Sequence, residues 1–135
     1  MSGDEGRQKR RFRHHYSVSE AEALIPLVTR WLTELRILRQ TLGRQDERLQ
    51  ELLHDNGDQG GSRVNEWIRN LDRVRSLADE FSSRELQIED VDQGFVGFPA
   101  FRAGREVLLS WQEGDDHIEF WKELDAGEAG REPLG

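Results

Sequence analysis

Apolar residues recur along the first half of the chain with spacings that alternate three and four: Ala21, Leu24, Val28, Trp31, Leu35, Leu38, Leu42, then polar Gln45, then Leu49 and Leu52. That rhythm is the seam of a coiled-coil-like helix. Its start is marked twice, because Ser17 with Glu20 and Ser19 with Glu22 each fit the Ser-x-x-Glu capping pattern. Pro26 lacks the N–H that would bond the carbonyl of Glu22, which predicts a kink in the second or third turn. Gly43 weakens the helix by up to about 1 kcal/mol relative to alanine. The seam continues through both, so one helix is expected over 17–53, about 55 Å long at 1.5 Å per residue.

Residues 54–61 (HDNGDQGG) have the composition of a turn, and Ser62 can cap a second helix. The second seam is Val64, Trp67, Leu71, Val74, Ala78 and Phe81, with Ile68 and Leu77 widening the stripe. Facing stripes predict an antiparallel hairpin over 17–81. Its second arm is shorter, so Leu24, Ile25, Val28 and Leu32 have no partner within the hairpin. Either the C-terminal part covers them or another chain does, and they form the candidate interaction surface.

After Ser83 the period changes to two. Leu86 and Ile88 alternate, Gly94 opens an apolar run to Phe101, and Arg102-Ala103-Gly104 turns into 105–112 with Val107, Leu109 and Trp111 on one face. A second turn, 113–116, leads to a strand over 117–121 with Ile118 and Phe120 inward. The expected fold is α+β: a long antiparallel helical hairpin, coiled-coil-like, packed on a small antiparallel β-hairpin or meander. The domain spans 16–135, with the β-rich part at 86–122 and an irregular strap at 123–135. Residues 1–15 have no apolar period and read as a basic tail that is disordered in isolation.

Composition sharpens this picture. A chain of 135 residues fits one core, and 34% charged residues suit an elongated fold with much solvated helix surface. No run approaches the ~20 apolar residues of a membrane span, and no apolar leader follows the N-terminus, so a cytoplasmic protein is expected. The absence of cysteine removes disulfides and thiolate chemistry. The tail carries Arg7, Lys9, Arg10, Arg11 and Arg13 against Asp4 and Glu5, a net +3, so with the whole chain at −8 the remaining 120 residues carry −11. An acidic body repels nucleic-acid phosphates, so any contact with nucleic acid or an acidic partner falls to the tail.

Candidate chemistry is sparse. Asp116, His117 and Glu119 are the densest set of potential metal ligands, and on a strand His117 and Glu119 would project from one face. An acidic turn with a polar strand face explains the same residues. Gln45 could set the pairing register, His54 could serve the last carbonyls of the first helix, and Arg131 could fasten the C-terminal strap to a carboxylate. No phosphate-loop, dinucleotide, zinc-protease or serine-hydrolase string occurs. No residue is assigned as catalytic or as binding a cofactor.

Residues 17–26 (SVSEAEALIP), 94–100 (GFVGFPA), 104–111 (GREVLLSW), 113–121 and 130–134 (GREPL) together resemble a family of prokaryotic proteins known as the domain of unknown function 2203. The resemblance covers most of 16–134 and implies a cytoplasmic prokaryotic protein without an assigned reaction. It also implies aspartate where Gly97 stands, cysteine at Ser110, glutamate at Asp115 and histidine at Lys122. Those residue types bind metals or move protons, so a site held by relatives would be lost or altered here. The expected function is a non-catalytic interaction or assembly protein acting through its helical hairpin, as a homodimer or with a protein partner. The alternative is a protein that binds a divalent metal or a small ligand on the polar face of the sheet.

Overall fold

A computed structural model describes residues 10–55 and 61–135, without the side chains of Leu49 and residues 52–55. Arg7 and Lys9 of the basic tail, the centre of the interhelical turn, and the side chains of Leu49, Leu52 and His54 therefore lie outside the described residues.

The first helix is two helices. Ser17 caps α1 (Val18–Ala23): its hydroxyl accepts the Glu20 N–H, and the Glu20 carboxylate accepts the Ser17 N–H at 2.8 Å. Leu24 closes α1 with an N–H bond to Ala21 O, and α2 (Ile25–Asp55) begins at once. The expected kink is a break because proline lacks an N–H and its ring crowds the carbonyl four residues back. In the first turn of a new helix neither defect costs anything, and Pro26 sits there. Gly43 stays inside α2.

The third helix, α3 (Gly61–Ser82), starts one residue before Ser62 and pairs with α2 as the expected hairpin. Its inward stripe differs from the expected seam. Val64, Trp67, Asn70 and Val74 are half-buried and Leu77 and Phe81 buried, while Ile68, Leu71 and Ala78 are exposed. A helix of 3.6 residues per turn drifts off a strict 3.5 repeat, and without supercoiling the buried line moves from Leu71 to Asn70 and from Ala78 to Leu77.

Five antiparallel strands follow as a meander in chain order: β1 (Gln87–Asp90), β2 (Phe95–Arg102), β3 (Arg105–Gln112), β4 (Phe120–Glu123) and β5 (Glu132–Pro133). The β2–β3 turn is tight. Ala103 and Gly104 both have positive φ, 52° and 79°, which matches the right-handed twist of the paired strands. Pairing of Val96 with Trp111, Phe98 with Leu109 and Ala100 with Val107 puts six residues on the face toward the helices. There they join Val28, Trp31, Leu32, Leu35, Leu77 and Phe81 in one core. Each large apolar side chain so buried contributes about 1.5–3 kcal/mol.

Strand β4 is shorter than expected. Residues 117–119 are loop, so Ile118 points inward at 4% exposure while Phe120, paired with Ser110, lies on the opposite face. Trp121 takes the inward place.

The hairpin is held to the sheet by salt bridges as well as packing. Arg36 of α2 donates to both carboxylate oxygens of Glu113, at 2.7 and 2.8 Å, and to Val91 O at 3.0 Å. Glu113 in turn donates its N–H to Gly94 O. Gly94 has φ +76°, and a side chain there would strike the Glu113 side chain. Arg39 adds an ion pair to Asp92.

Candidate functional site

The outer face of the sheet, turned away from the helices, carries the buried polar groups. Strand parity places Phe95, Gly97, Pro99 and Phe101 of β2, Glu106, Leu108 and Ser110 of β3, and Phe120 and Lys122 of β4 on this face. Val107 to Trp111 are five consecutive buried residues, because β3 is covered on both sides. That uninterrupted run in the sequence was a signal of double burial.

Lys122 is the centre of this face. Its side chain is 2% exposed, and its ammonium is ion-paired with Glu89 at 2.9 Å and donates to Ala126 O at 2.6 Å. Gly97 makes room for the carboxylate: a Cβ there would lie 3.3 Å from Glu89 Oε1 and 3.0 Å from Leu108 Cδ1. Such a pair is strongly destabilised when one partner is removed, because a charge is then left buried and alone.

Arg131 crosses the other end. It donates to Ser110 Oγ at 2.8 Å and to Ser110 O at 3.2 Å, and its guanidinium lies over the rings of Phe120 and Phe95. Burial pulls its pKa below the ordinary arginine value, against the opposing fields of Asp115 and Glu128. The strap is thus fastened by a serine and two rings, not by the carboxylate expected from the sequence.

The segment before Tyr16 crosses the same face near Glu106. That carboxylate accepts the N–H groups of Arg11 and Phe12 at 2.8 and 2.9 Å and meets His15 Nε2 at 2.8 Å. Burial alone would push its pKa up; the Arg11 N–H, His15 and the Phe12 N–H outweigh that and hold it below the usual carboxylate range. His15 stacks on Phe101, Arg10 lies over the same ring, Arg11 pairs with Asp125, and Glu85 accepts the N–H groups of Arg13 and His14. Residues 10–15, which read as tail in the sequence, are bound along the sheet.

The positions at which the resemblance implies other residue types come together here. Gly97 and Ser110 are direct cross-strand partners, Lys122 is diagonal to Ser110, and the charge of Asp115 acts on Arg131. Gly97 offers no donor, the Ser110 hydroxyl is engaged and Lys122 is itself a cation.

Asp116, His117 and Glu119 are all exposed and lie in the loop before β4, so the common strand face assumed for His117 and Glu119 does not form. His117 Nδ1 is 3.4 Å from Glu22, whose carboxylate accepts the Ile118 N–H at 2.8 Å. Among the described residues no three His, Asp or Glu side chains are grouped to hold an ion.

Val28 and Leu32, expected to await a partner, are fully buried beneath the sheet, and Leu24 and Ile25 are half-buried against the same core. The β part supplies the missing cover. Apolar surface emerges instead on the flank of α3 beside β1, the edge strand. One concavity of about 160 Å³ is lined by Leu35, Arg39, Leu42, Val74 and Val91. A second, of about 440 Å³, includes Ala78, Phe81, Leu86, Ile88 and Phe12. Val74 and Ala78 are one helical turn apart, so the two adjoin, with exposed Leu71 and Ile68 continuing the line.

The fold and its outer face define an α+β protein whose sheet is sealed by ion pairs and whose helical hairpin extends past it. The chain belongs to the family described as uncharacterized conserved protein (DUF2203), whose model matches residues 14–134. No curated protein and no solved structure matches the chain. Among the described residues no helix is long and apolar enough to cross a membrane.

Proposed function

We propose that this is a non-catalytic, cytoplasmic interaction protein that receives an amphipathic helix along the α3–β1 groove, the partner being the hairpin of a second copy. The observation that carries this reading is the run of apolar surface from Ile88 and Ala78 through Val74 to Leu71 and Ile68, the last two 39% and 44% exposed. Helix-in-groove recognition uses anchors at such i, i+3, i+4 spacings.

Light scattering over a concentration series tests it, with wild type expected to rise toward twice the monomer mass. The double variant Ile68→Glu, Leu71→Glu, in exposed positions, is expected to stay monomeric with unchanged circular dichroism. A wild type that remains strictly monomeric at high concentration overturns the self-association.

A further inference from the structure

Toward its free end the hairpin has a second flank of different chemistry. Asn70 of α3 donates to Gln45 of α2 at 3.0 Å, and Arg73 pairs with Glu34, so this side of the helix pair is polar. Beyond Gln45 a cavity of about 370 Å³ opens, lined by Thr41, Arg44, Gln45, Arg48, Arg63 and Glu66. Its size lies in the range of small-molecule sites, ~300–1,000 Å³.

Among the described residues, three exposed arginines and one exposed glutamate line this cavity. Among the described residues Arg44, Arg48 and Arg63 have neither an ion-pair nor a hydrogen-bond partner, a state they share with Arg30, Arg69 and Arg75; what sets the three apart is that they line one cavity. They come from three separate helical turns on two helices, and their common charge is tolerated only where water or an anion screens it. Although the body is acidic, charges farther than the Debye length, about 8 Å at physiological salt, add little to the local field. The described lining therefore carries a net charge of +2, three arginines against one glutamate, within a negative molecule.

We infer that this cavity binds a small phosphate ester. Arginine suits the role because its planar fork donates two parallel N–H bonds to phosphate oxygens. The carboxylate of Glu66 supplies an acceptor that a bare phosphate does not use, while the Gln45 carbonyl is held by Asn70 and the Thr41 hydroxyl donates to Ile37 O. The ligand class is thus a phosphate attached to a hydroxyl-bearing body, such as a sugar phosphate or a mononucleotide.

Calorimetric titration of the full chain with inorganic phosphate, ribose 5-phosphate and adenosine monophosphate tests this. Saturable one-to-one binding is expected for at least one ester, tighter than for inorganic phosphate and weakened by added chloride; comparison of the two esters shows whether the base is read. Arg48→Ala with Arg63→Ala is expected to cut affinity at least about tenfold, while Arg30→Ala with Arg75→Ala, outside the cavity, leaves it unchanged. Glu66→Gln, which removes the one negative charge, is expected to tighten inorganic phosphate severalfold. Absence of saturable binding for all three probes at millimolar concentration overturns the inference. So does an equal loss in the Arg30 and Arg75 control, which would mean diffuse screening and not a site.

Discussion

The two ends of the helical hairpin are built on different principles. Where α2 meets the sheet, Val28 and Leu32 have no exposed surface, Trp31 packs edge-on against Phe81 with ring centroids 5.5 Å apart, and Arg36 clamps two loops. Beyond Leu38 and Val74 the core ends: Leu42, Val64 and Trp67 are only half-buried, and the helices meet through the Gln45–Asn70 amide pair. One end is a packed core with a fixed geometry. The other is a two-helix layer in which each apolar residue is shielded on one side alone, so it contributes less stability.

The largest expected effect separates these ends directly. Leu32→Ala opens a cavity under the sheet and should cost about 2–5 kcal/mol, whereas the same truncation at half-buried Leu42 should cost about 1 kcal/mol. Chemical denaturation of both variants measures the contrast; equal losses would erase the distinction. Next, Glu89→Leu leaves the Lys122 ammonium buried beside Ala126 O alone and should cost about 3 kcal/mol, reduced because Glu89 is partly hydrated. Adding Lys122→Met should recover most of that loss. A double variant no more stable than the single would show that the ion pair does not organise the outer face.

A smaller effect depends on pH. The Glu106 pKa is depressed in the folded protein, so the stability it contributes is complete above the ordinary glutamate value, about 4.3, and is lost as pH falls through the folded value. Glu106→Gln should cost about 1–3 kcal/mol at neutral pH and flatten the acid limb of the stability curve. Hydrogen exchange should then show residues 11–16 released while α2 stays protected. An acid limb unchanged by the substitution would remove Glu106 as the clamp.

Much of this architecture was legible because period reports burial. The seam from Ala21 to Gln45 across α1 and α2, the alternation of Val107, Leu109 and Trp111, and the capping box at Ser17 all follow from local geometry, and the structure repeats them. Where a choice depended on a neighbour's position, the reading slipped. Leu71 or Asn70 as the inward residue depends on whether the helices supercoil, and the face taken by Phe120 depends on how many residues the preceding loop absorbs. The Arg36–Glu113 bridge joins residues 77 apart, and no local signal announces it. Lys122 was flagged as a departure from the family pattern, but its pairing with Glu89 requires the register of four strands.

Because one guanidinium ties α2 to both Val91 and Glu113, the hairpin is attached to the sheet as a lever is to its fulcrum. A substitution that removes this one fork therefore unties the β1–β2 and β3–β4 loops from each other as well as from the helix.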